Sequence, residues 1–128
     1  MEIRRNDPLE GPQIIGFSGA GFRLRLGMEE RPAAGAILLD PAAIYDWDAP
    51  AVDALQAADL GELLQLRPLP EFLLLGTGSQ MIQPPRAFVR ELETMGIGVE
   101  AMDSRAAARA WGVLRAEERW IIGALLPL

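Results

Sequence analysis

The chain has 128 residues, close to the size of one ordinary domain, and half of them are hydrophobic. Its net charge is −6 and its basic residues are scattered, which argues against nucleic acid or an anionic lipid surface as a partner. It contains no cysteine, histidine or lysine. This excludes disulfides, zinc held by cysteine or histidine, imidazole triads, Schiff-base chemistry and a Walker-type lysine.

The N-terminal third is predicted to be a loose arm followed by strands. Residues 1–12 are polar and contain two prolines, which favours an arm without regular structure. The segments IIGF (14–17) and FRLRL (22–26) flank a glycine-rich turn, a pattern typical of a hairpin. Alternation in the second segment buries one face of the strand. GAILL (35–39) predicts a third strand, which ends before Asp40.

The middle of the chain is predicted to hold a link and one helix. The aromatic segment AIYDWDAP (43–50) is interpreted as an irregular link. In residues 52–66 the leucines are spaced roughly as a helical stripe, with Gly61 as a weak point. We therefore expect a helix mainly in the second half of this segment.

The last third alternates strands and helices, and each boundary has a recognisable signal. Apolar runs without alternation predict strands that are buried on both faces. Proline opens the first helix, Gly96 closes it, and Asp103 or Ser104 is available to cap the second. The predicted elements are a strand over 71–76, a helix over 84–96, a strand over 97–102, a helix over 103–117 and a central strand over 119–126.

This order of elements predicts an α/β fold that occupies the whole chain, 1–128, as a single domain. Helices pack on a central, largely parallel sheet, and an antiparallel hairpin precedes them. The chain start lacks the apolar run of a signal peptide, and the longest apolar stretch is far shorter than the roughly 20 residues that span a bilayer. We expect a cytoplasmic protein without direct membrane insertion. Arginine in place of lysine is typical of a GC-rich bacterial genome.

Nearly the whole chain, residues 14–127, resembles a family of small α/β proteins of unknown biochemical function. Its eukaryotic member is mitochondrial complex I assembly factor three. The resemblance is carried by GAILLDP (35–41) with Trp47, PEFLLLGTG (70–78), MGIGVEAMDSRAAARAW (95–111) and VLRAEERWIIGALLP (113–127). It implies a three-layer fold with a mixed central sheet. For the mitochondrial branch it also implies a role in assembling the respiratory NADH:quinone oxidoreductase, and for bacterial relatives no settled role.

The sequence departs from the family pattern at Gly112, where members usually carry asparagine. On the predicted helix Arg105, Arg109 and Gly112 share the surface face, while Ala107, Trp111 and Leu114 form the core stripe. Glycine inside a helix costs about 1 kcal/mol relative to alanine. Its presence predicts either close packing by another backbone or a site that has lost one polar contact.

The glycine loop after the strand over 71–76 is the first candidate site. Gly76, Thr77, Gly78 and Ser79 offer backbone amides and hydroxyls near a helix start, and such a nest can hold an anion without lysine. The third glycine of a dinucleotide fingerprint is missing. The loop is therefore a candidate small-anion site at the carboxyl edge of the sheet, or a turn that needs glycine for its backbone conformation.

Asp103, Ser104, Arg105 and Arg109 form a second constellation at the same edge if the two strands are parallel. In the functional interpretation either arginine is an anion partner of the glycine loop. In the structural one Asp103 caps the helix and the arginines form a solvated face.

Other polar and aromatic residues are assigned structural roles. Glu117 and Arg119 are expected to be an ion pair or surface charges, and the arginines of the second strand to be solvated. The tryptophans and Tyr45 are expected mainly in the core. An exposed Trp47 beside Tyr45 would mark a protein-binding patch, so these two residues are the candidate interaction surface.

No catalytic set emerges from these residues, and neither a cofactor nor a metal site is predicted. The leading hypothesis is a non-enzymatic protein-interaction module that assists assembly of a complex I-like membrane complex. Its partners would be respiratory-complex subunits or assembly proteins, which would hold it peripherally at the inner membrane. The alternative is a small anionic-ligand-binding protein that uses the loop from Gly76 to Gly78. An enzyme with carboxylate chemistry stays a remote option, and a homo-oligomer is left open.

Overall fold

The computed structural model describes residues 11–128, so the predicted arm over residues 1–12 lies outside the described residues except for Gly11 and Pro12. The described part contains two sheets, two α-helices and two 3-10 segments. The strands are β1 (Gln13–Ser18), β2 (Gly21–Leu26), β3 (Glu29–Ala33), β4 (Ala36–Leu39), β5 (Ile44–Trp47), β6 (Phe72–Gly76), β7 (Gly98–Met102) and β8 (Ile122–Leu125). The α-helices are α1 (Arg86–Thr94) and α2 (Ser104–Ala116), and the 3-10 segments are Val52–Ala54 and Ala57–Gln65.

The predicted N-terminal hairpin is confirmed, and a third strand extends it. β1, β2 and β3 form an antiparallel sheet in that order. Phe22 and Leu24 are fully buried, while Arg25 alternates with them and pairs with Glu30 at 2.7 Å. β3 was not predicted because its sequence, EERPA, is polar and contains Pro32, which suits only an edge strand.

The larger sheet has the order β5-β4-β8-β6-β7 and is mixed, as the family resemblance implies. β6 is parallel to both β7 and β8, while β4 is antiparallel to β8 and to β5. The strand over 119–126 was predicted to be central, and β8 lies in the middle of the sheet. Because β6 is parallel to β7, their carboxyl ends lie at the same edge of the sheet.

Two apolar clusters cover the opposite faces of this sheet and confirm the three-layer fold. On one face Leu73 and Leu75 pack with Phe88 of α1 and Leu60 of the longer 3-10 segment. On the other face Leu74 packs with α2 and with the three-stranded sheet. At the centre of this second cluster lies the fully buried Trp111, whose indole N–H donates to the carbonyl of Pro12 at 2.9 Å.

The link predicted over residues 43–50 is wrong, because Ile44–Trp47 forms the strand β5. Asp40 explains the reversal that creates this strand: its Oδ1 accepts the amides of Ala42 and Ala43, both at 2.7 Å. Such a turn returns the chain antiparallel to β4. β5 is consequently an edge strand of the larger sheet.

The helix predicted within residues 52–66 is also wrong, because the segment forms 3-10 turns. Gly61 interrupts the longer one with a φ of 58° and a ψ of −129°, which lie outside any helical conformation. The Asp59 side chain accepts the Gln56 amide at 2.8 Å and closes a capping box at the segment's start. The glycine therefore bends the segment instead of merely weakening a helix.

The predicted end of α1 at Gly96 and the predicted start of α2 at Asp103 are confirmed. Gly96 follows α1 with a φ of 92°, and its amide and that of Ile97 donate to Glu93 and Leu92, as in a Schellman motif. The carboxylate of Asp103 accepts the Ala106 amide at 2.9 Å and caps α2. Arg119 pairs with Glu71 at 2.8 Å, so the partner of Arg119 is on β6's N-terminal side and not at Glu117.

Candidate functional site

The predicted glycine loop lies where β6 ends, beside the start of α2. The parallel pairing of β6 with β7 brings Gly76 opposite Met102, so that Asp103 and Ser104 follow directly beside the loop. The Ser104 amide donates to the carbonyl of Gly78 at 2.7 Å. The structure therefore brings Gly76, Thr77, Gly78 and Asp103 together at one edge of the sheet, as predicted.

The side chain of Ser104 joins the loop to the end of the chain. Its hydroxyl is fully buried, accepts the Gly78 amide at 2.8 Å and donates to the carbonyl of Leu126 at 2.6 Å. Gly76 allows this approach, because a Cβ at that position would lie 2.8 Å from Ser104 Oγ. The sequence analysis named Ser104 as a possible cap and as a member of the second constellation, but its hydrogen bonds to Gly78 and Leu126 depend on contacts across the sheet.

The amides and hydroxyl at the start of the loop are already engaged within the fold. The Thr77 amide donates to the carbonyl of Met102 at 2.9 Å, and the Gly78 amide donates to Ser104. Thr77 Oγ1 donates to the Gln80 carbonyl at 2.6 Å and accepts the Ile82 amide at 3.0 Å. These groups hold the turn, while Ser79 is exposed. The small-anion site at this loop stays a prediction.

The two arginines of the predicted constellation lie on the exposed face of α2. The guanidinium carbon of Arg105 lies 5.0 Å from the ring centroid of Phe17, a cation–π contact with the hairpin. Arg109 lies one turn further along the same face and is exposed. Gly112 is exposed as well, and nothing lies within 4 Å of a Cβ added there. Close packing by another backbone of the described chain does not explain this glycine.

The candidate interaction residues Tyr45 and Trp47 lie on β5, which is a free edge of the larger sheet within residues 11–128. Tyr45 is 44% exposed. Trp47 is half-buried, packs against the core, and its indole N–H donates to the Asp59 carbonyl at 3.0 Å. Tyr45 is thus the exposed member of the pair, and Trp47 holds the longer 3-10 segment against the strand.

A cavity of about 470 Å³ opens between β5 and the kinked 3-10 segment. Leu38, Leu60 and Leu63 contribute apolar walls. The polar side chains that line the cavity are acidic, apart from Gln65 and Tyr45. The carboxylates that line it belong to Asp40, Asp59 and Glu62. We call β5 together with this cavity the β5 surface.

Tyr45 and Asp40 form the polar centre of the cavity. The tyrosine hydroxyl donates to Asp40 Oδ2 at 2.8 Å. This hydrogen bond, followed by partial burial and the negative charges of Asp40 and Glu62, raises the pKa of Tyr45 above its ordinary value of 10.0. The phenol therefore stays protonated across the physiological range, and the charge of the cavity comes from its carboxylates.

A second cavity, of about 450 Å³, lies at the other end of β5. Trp47, Asp46 and Asp48 line it on the β5 side, and Arg31 with the β3–β4 connection lines the opposite side. Arg31 and Asp46 form an exposed ion pair at 3.4 Å. The edge strand is consequently flanked by concave surfaces at both of its ends.

The sequence analysis missed Asp40, Asp59 and Glu62, although a signal for them exists. Residues 32–66 contain six carboxylates and no arginine. The other twelve acidic residues are balanced by the twelve arginines, so this one segment accounts for the whole net charge of −6. A charge profile along the chain would have marked it.

The described residues contain neither a candidate metal site nor a helix suited to span a membrane. Within residues 11–128 no group of acidic side chains is arranged to hold a metal ion. None of the helices in that range is both long and apolar enough to cross a membrane.

A mixed sheet between two covering layers, with an aromatic strand at its free edge, defines the chain as a small three-layer α/β domain. The chain matches a family described as a protein of unknown function (DUF498/DUF598) over residues 14–126 and belongs to that family. The resemblance stated from the sequence is thereby confirmed.

Known relatives agree with this assignment. An uncharacterized protein of Rhodobacter capsulatus is 31% identical over 125 residues, which cover 91% of this chain and 93% of that protein. NADH dehydrogenase (ubiquinone) 1 alpha subcomplex assembly factor 3 of Drosophila melanogaster is 29% identical over 120 residues. The match covers 91% of this chain but only 59% of the fly protein. A crystal structure of a Bordetella parapertussis protein has a TM-score of 0.78 at 31% identity, over 91% of this chain and 96% of that one.

Proposed function

We propose that the chain is a non-enzymatic protein-interaction module that assists assembly of a membrane-bound NADH dehydrogenase complex. In this proposal the β5 surface is where the partner protein docks. The partner is a subunit of that complex or another assembly protein, through which the chain is held at the membrane.

The observation that carries the proposal is the free edge of β5, with the exposed Tyr45 between two cavities. An edge strand offers unpaired backbone donors and acceptors to another chain. Tyrosine is enriched at the centres of interfaces, because it brings a large rigid contact area with a hydroxyl. Trp47 and Asp40 hold this strand and its tyrosine in place before any partner arrives. A preformed surface lowers the ordering cost of binding.

One named relative supports the assembly part of the proposal. The Drosophila protein carries the name of an NADH dehydrogenase assembly factor, and the match extends over nearly all of this chain. Because the chain spans only part of that protein, the assembly role is a proposal for this chain and not an inherited property.

The assembly role can be tested by deletion and complementation in a host that assembles the complex. We expect deletion to lower the amount of assembled NADH dehydrogenase on native gels, and the wild-type chain to restore it. Tyr45→Ala should fail to restore it, while Val113→Ala, which removes apolar surface from a 58% exposed residue on α2, should succeed. Equal expression and folding of both variants are checked by immunoblot and circular dichroism.

The outcomes separate the two parts of the proposal. An unchanged level of the complex after deletion would contradict the assembly role. Restoration by Tyr45→Ala as complete as that by the wild type would contradict docking at the β5 surface.

A further inference from the structure

The charge of the chain is concentrated around its exposed aromatic edge. The six carboxylates of residues 32–66 carry the entire net charge, and all of them lie on β5, on the segments beside it or in the turn before it. Asp46 lies on β5, Asp48 directly follows the strand, and Glu62 lines the cavity beside it. Of these three, only Asp46 has an ion-pair partner among residues 11–128.

Two of the other three edge strands, β3 and β7, carry features that discourage pairing with another chain. β3 combines Pro32 with charges of both signs, and β7 carries the single charge of Glu100. Natural edge strands use proline and scattered charge to avoid pairing with other chains. β5 also lacks proline and carries one charge, that of Asp46. It differs in the exposed Tyr45 and in the carboxylates of Asp48 and Glu62 that lie beside it.

A single sign of charge selects the class of partner. Two copies of the β5 surface would bring like charges together, which disfavours pairing of this chain with itself through β5. A basic segment gains attraction from the same carboxylates and can pair with the free backbone groups of the strand. The cavity suits a long cationic side chain, because its leucine walls can cover the methylene stem while Glu62 meets the charged end.

We propose that the β5 surface binds a basic segment of a partner protein in an extended conformation. The segment adds to the free edge of β5 and places one arginine or lysine side chain in the cavity between Tyr45 and the kinked 3-10 segment. This inference rests on the proposed function, since it names the chemistry of the partner at the same surface.

Binding can be measured with two synthetic peptides of alternating valine and charged residues. One carries arginine and the other carries glutamate at the same positions, and fluorescence anisotropy is recorded at low and at physiological salt. We expect the arginine peptide to bind and the glutamate peptide not to bind. Binding should weaken as salt rises, because exposed ion pairs are screened. Amide chemical shifts should move at residues 44–47.

A matched pair of double variants distinguishes a site from general attraction to an acidic protein. Glu62→Gln with Asp48→Asn removes one charge at the cavity of the β5 surface and one directly after β5. Glu93→Gln with Glu100→Gln removes two exposed charges, one on α1 and one on β7, and β7 is the opposite edge strand, about 19 Å from β5 at four strand spacings. We expect the first double variant to weaken binding about tenfold, because two exposed ion pairs with the peptide are lost. The second should weaken binding by less than about twofold, because it removes no ion pair with the peptide.

Equal weakening by both double variants, or chemical shifts that move at β7 and not at β5, would overturn the proposal. Failure here is separate from failure of the assembly role. If the arginine peptide does not bind but Tyr45→Ala still fails to restore the assembled NADH dehydrogenase, the partner is of another class. If the peptide binds at β5 and deletion leaves the complex unchanged, the basic-segment site stands and the assembly role fails.

Discussion

The hydroxyl of Ser104 accepts the amide of Gly78 at 2.8 Å and so joins the start of α2 to the loop after β6. The same hydroxyl donates to Leu126, which ties the loop to the end of the chain. We expect Ser104→Ala to lower the free energy of unfolding by about 1–3 kcal/mol, because both partners are left unsatisfied in a buried place. Urea denaturation measures this. The exposed Ser79→Ala should change stability by less than about 0.5 kcal/mol, and equal losses would contradict the account.

Replacing each of two glycines by alanine is predicted to change the free energy of unfolding, in opposite directions at the two positions. At Gly76 the new Cβ would lie 3.0 Å from both Leu125 Cγ and the Cα of Ser104, so we expect a loss of about 1–3 kcal/mol from overpacking. At Gly112 the space is open, and Gly112→Ala should stabilise the chain by about 1 kcal/mol through helix propensity. Thermal or urea unfolding of both variants checks the signs. A loss of stability in Gly112→Ala would contradict the open space that the structure shows around this residue.

The ion pair of Glu71 with Arg119 predicts a pH dependence of stability. The guanidinium of Arg119, followed by the amide of Trp120, holds the pKa of Glu71 below its ordinary value of 4.5. A lowered pKa in the folded state contributes stability above the ordinary value, and this is lost as the pH falls through the folded value. The difference in stability between the wild type and Glu71→Gln should therefore be largest near neutral pH and shrink below about pH 4.5.

Glu117→Gln is the control for this experiment, since Glu117 lies only two residues before Arg119 but is not its ion-pair partner. We expect a smaller effect from Glu117→Gln than from Glu71→Gln at neutral pH, and a reversed order would contradict the assignment. Both effects should decrease with added salt, because the pair is exposed.

Tyr45 is the only tyrosine of the chain, so its ionisation can be followed by ultraviolet absorbance without interference. We expect its pKa above the ordinary value of 10.0, because Asp40 accepts its proton in a hydrogen bond. Because folding raises this pKa, the protonated tyrosine stabilises the folded state at lower pH, and this stability is lost as the pH rises through the folded-state pKa. Glu62→Gln should lower the pKa by removing a nearby negative charge, while Glu93→Gln should leave it unchanged. A pKa at or below 10.0 in the folded wild type would contradict the geometry.

The last third of the chain was predictable because local signals and tertiary packing agree there. Gly96 ends α1, Asp103 caps α2, and the apolar run of residues 120–126 predicted a central strand. Each of these signals acts within a few residues, so the sequence pattern alone carries it.

The middle of the chain was not predictable from its apolar pattern because its structure depends on side-chain contacts, strand pairing and a backbone conformation that this pattern does not show. β5 exists because the side chain of Asp40 builds the preceding turn and because β4 supplies pairing partners. The leucine spacing of residues 52–66 is helical, but Gly61 adopts a conformation that bends the segment against the sheet. The role of Ser104 likewise needs the parallel pairing that brings β6 and β7 together.

The aromatic pair was predicted as a surface candidate, but the cavity beside it was not. Tyr45 and Trp47 share one face of a strand, and only the fold shows which of the two is exposed. The acidic lining combines residues from a turn and from a 3-10 segment, which no motif connects. Charge counting along the chain would have found the region, though not its shape.

Site-specific photo-crosslinking in the native host tests docking at the β5 surface most directly. A photoreactive phenylalanine replaces Tyr45 in one strain and Met28 in another, where Met28 is the 99% exposed tip of the β2–β3 turn. We predict that the probe at position 45 crosslinks to subunits or assembly proteins of the NADH dehydrogenase complex, at a basic segment that mass spectrometry can map. The probe at position 28 should not. Crosslinks to those proteins from position 28 and none from position 45 would contradict the account.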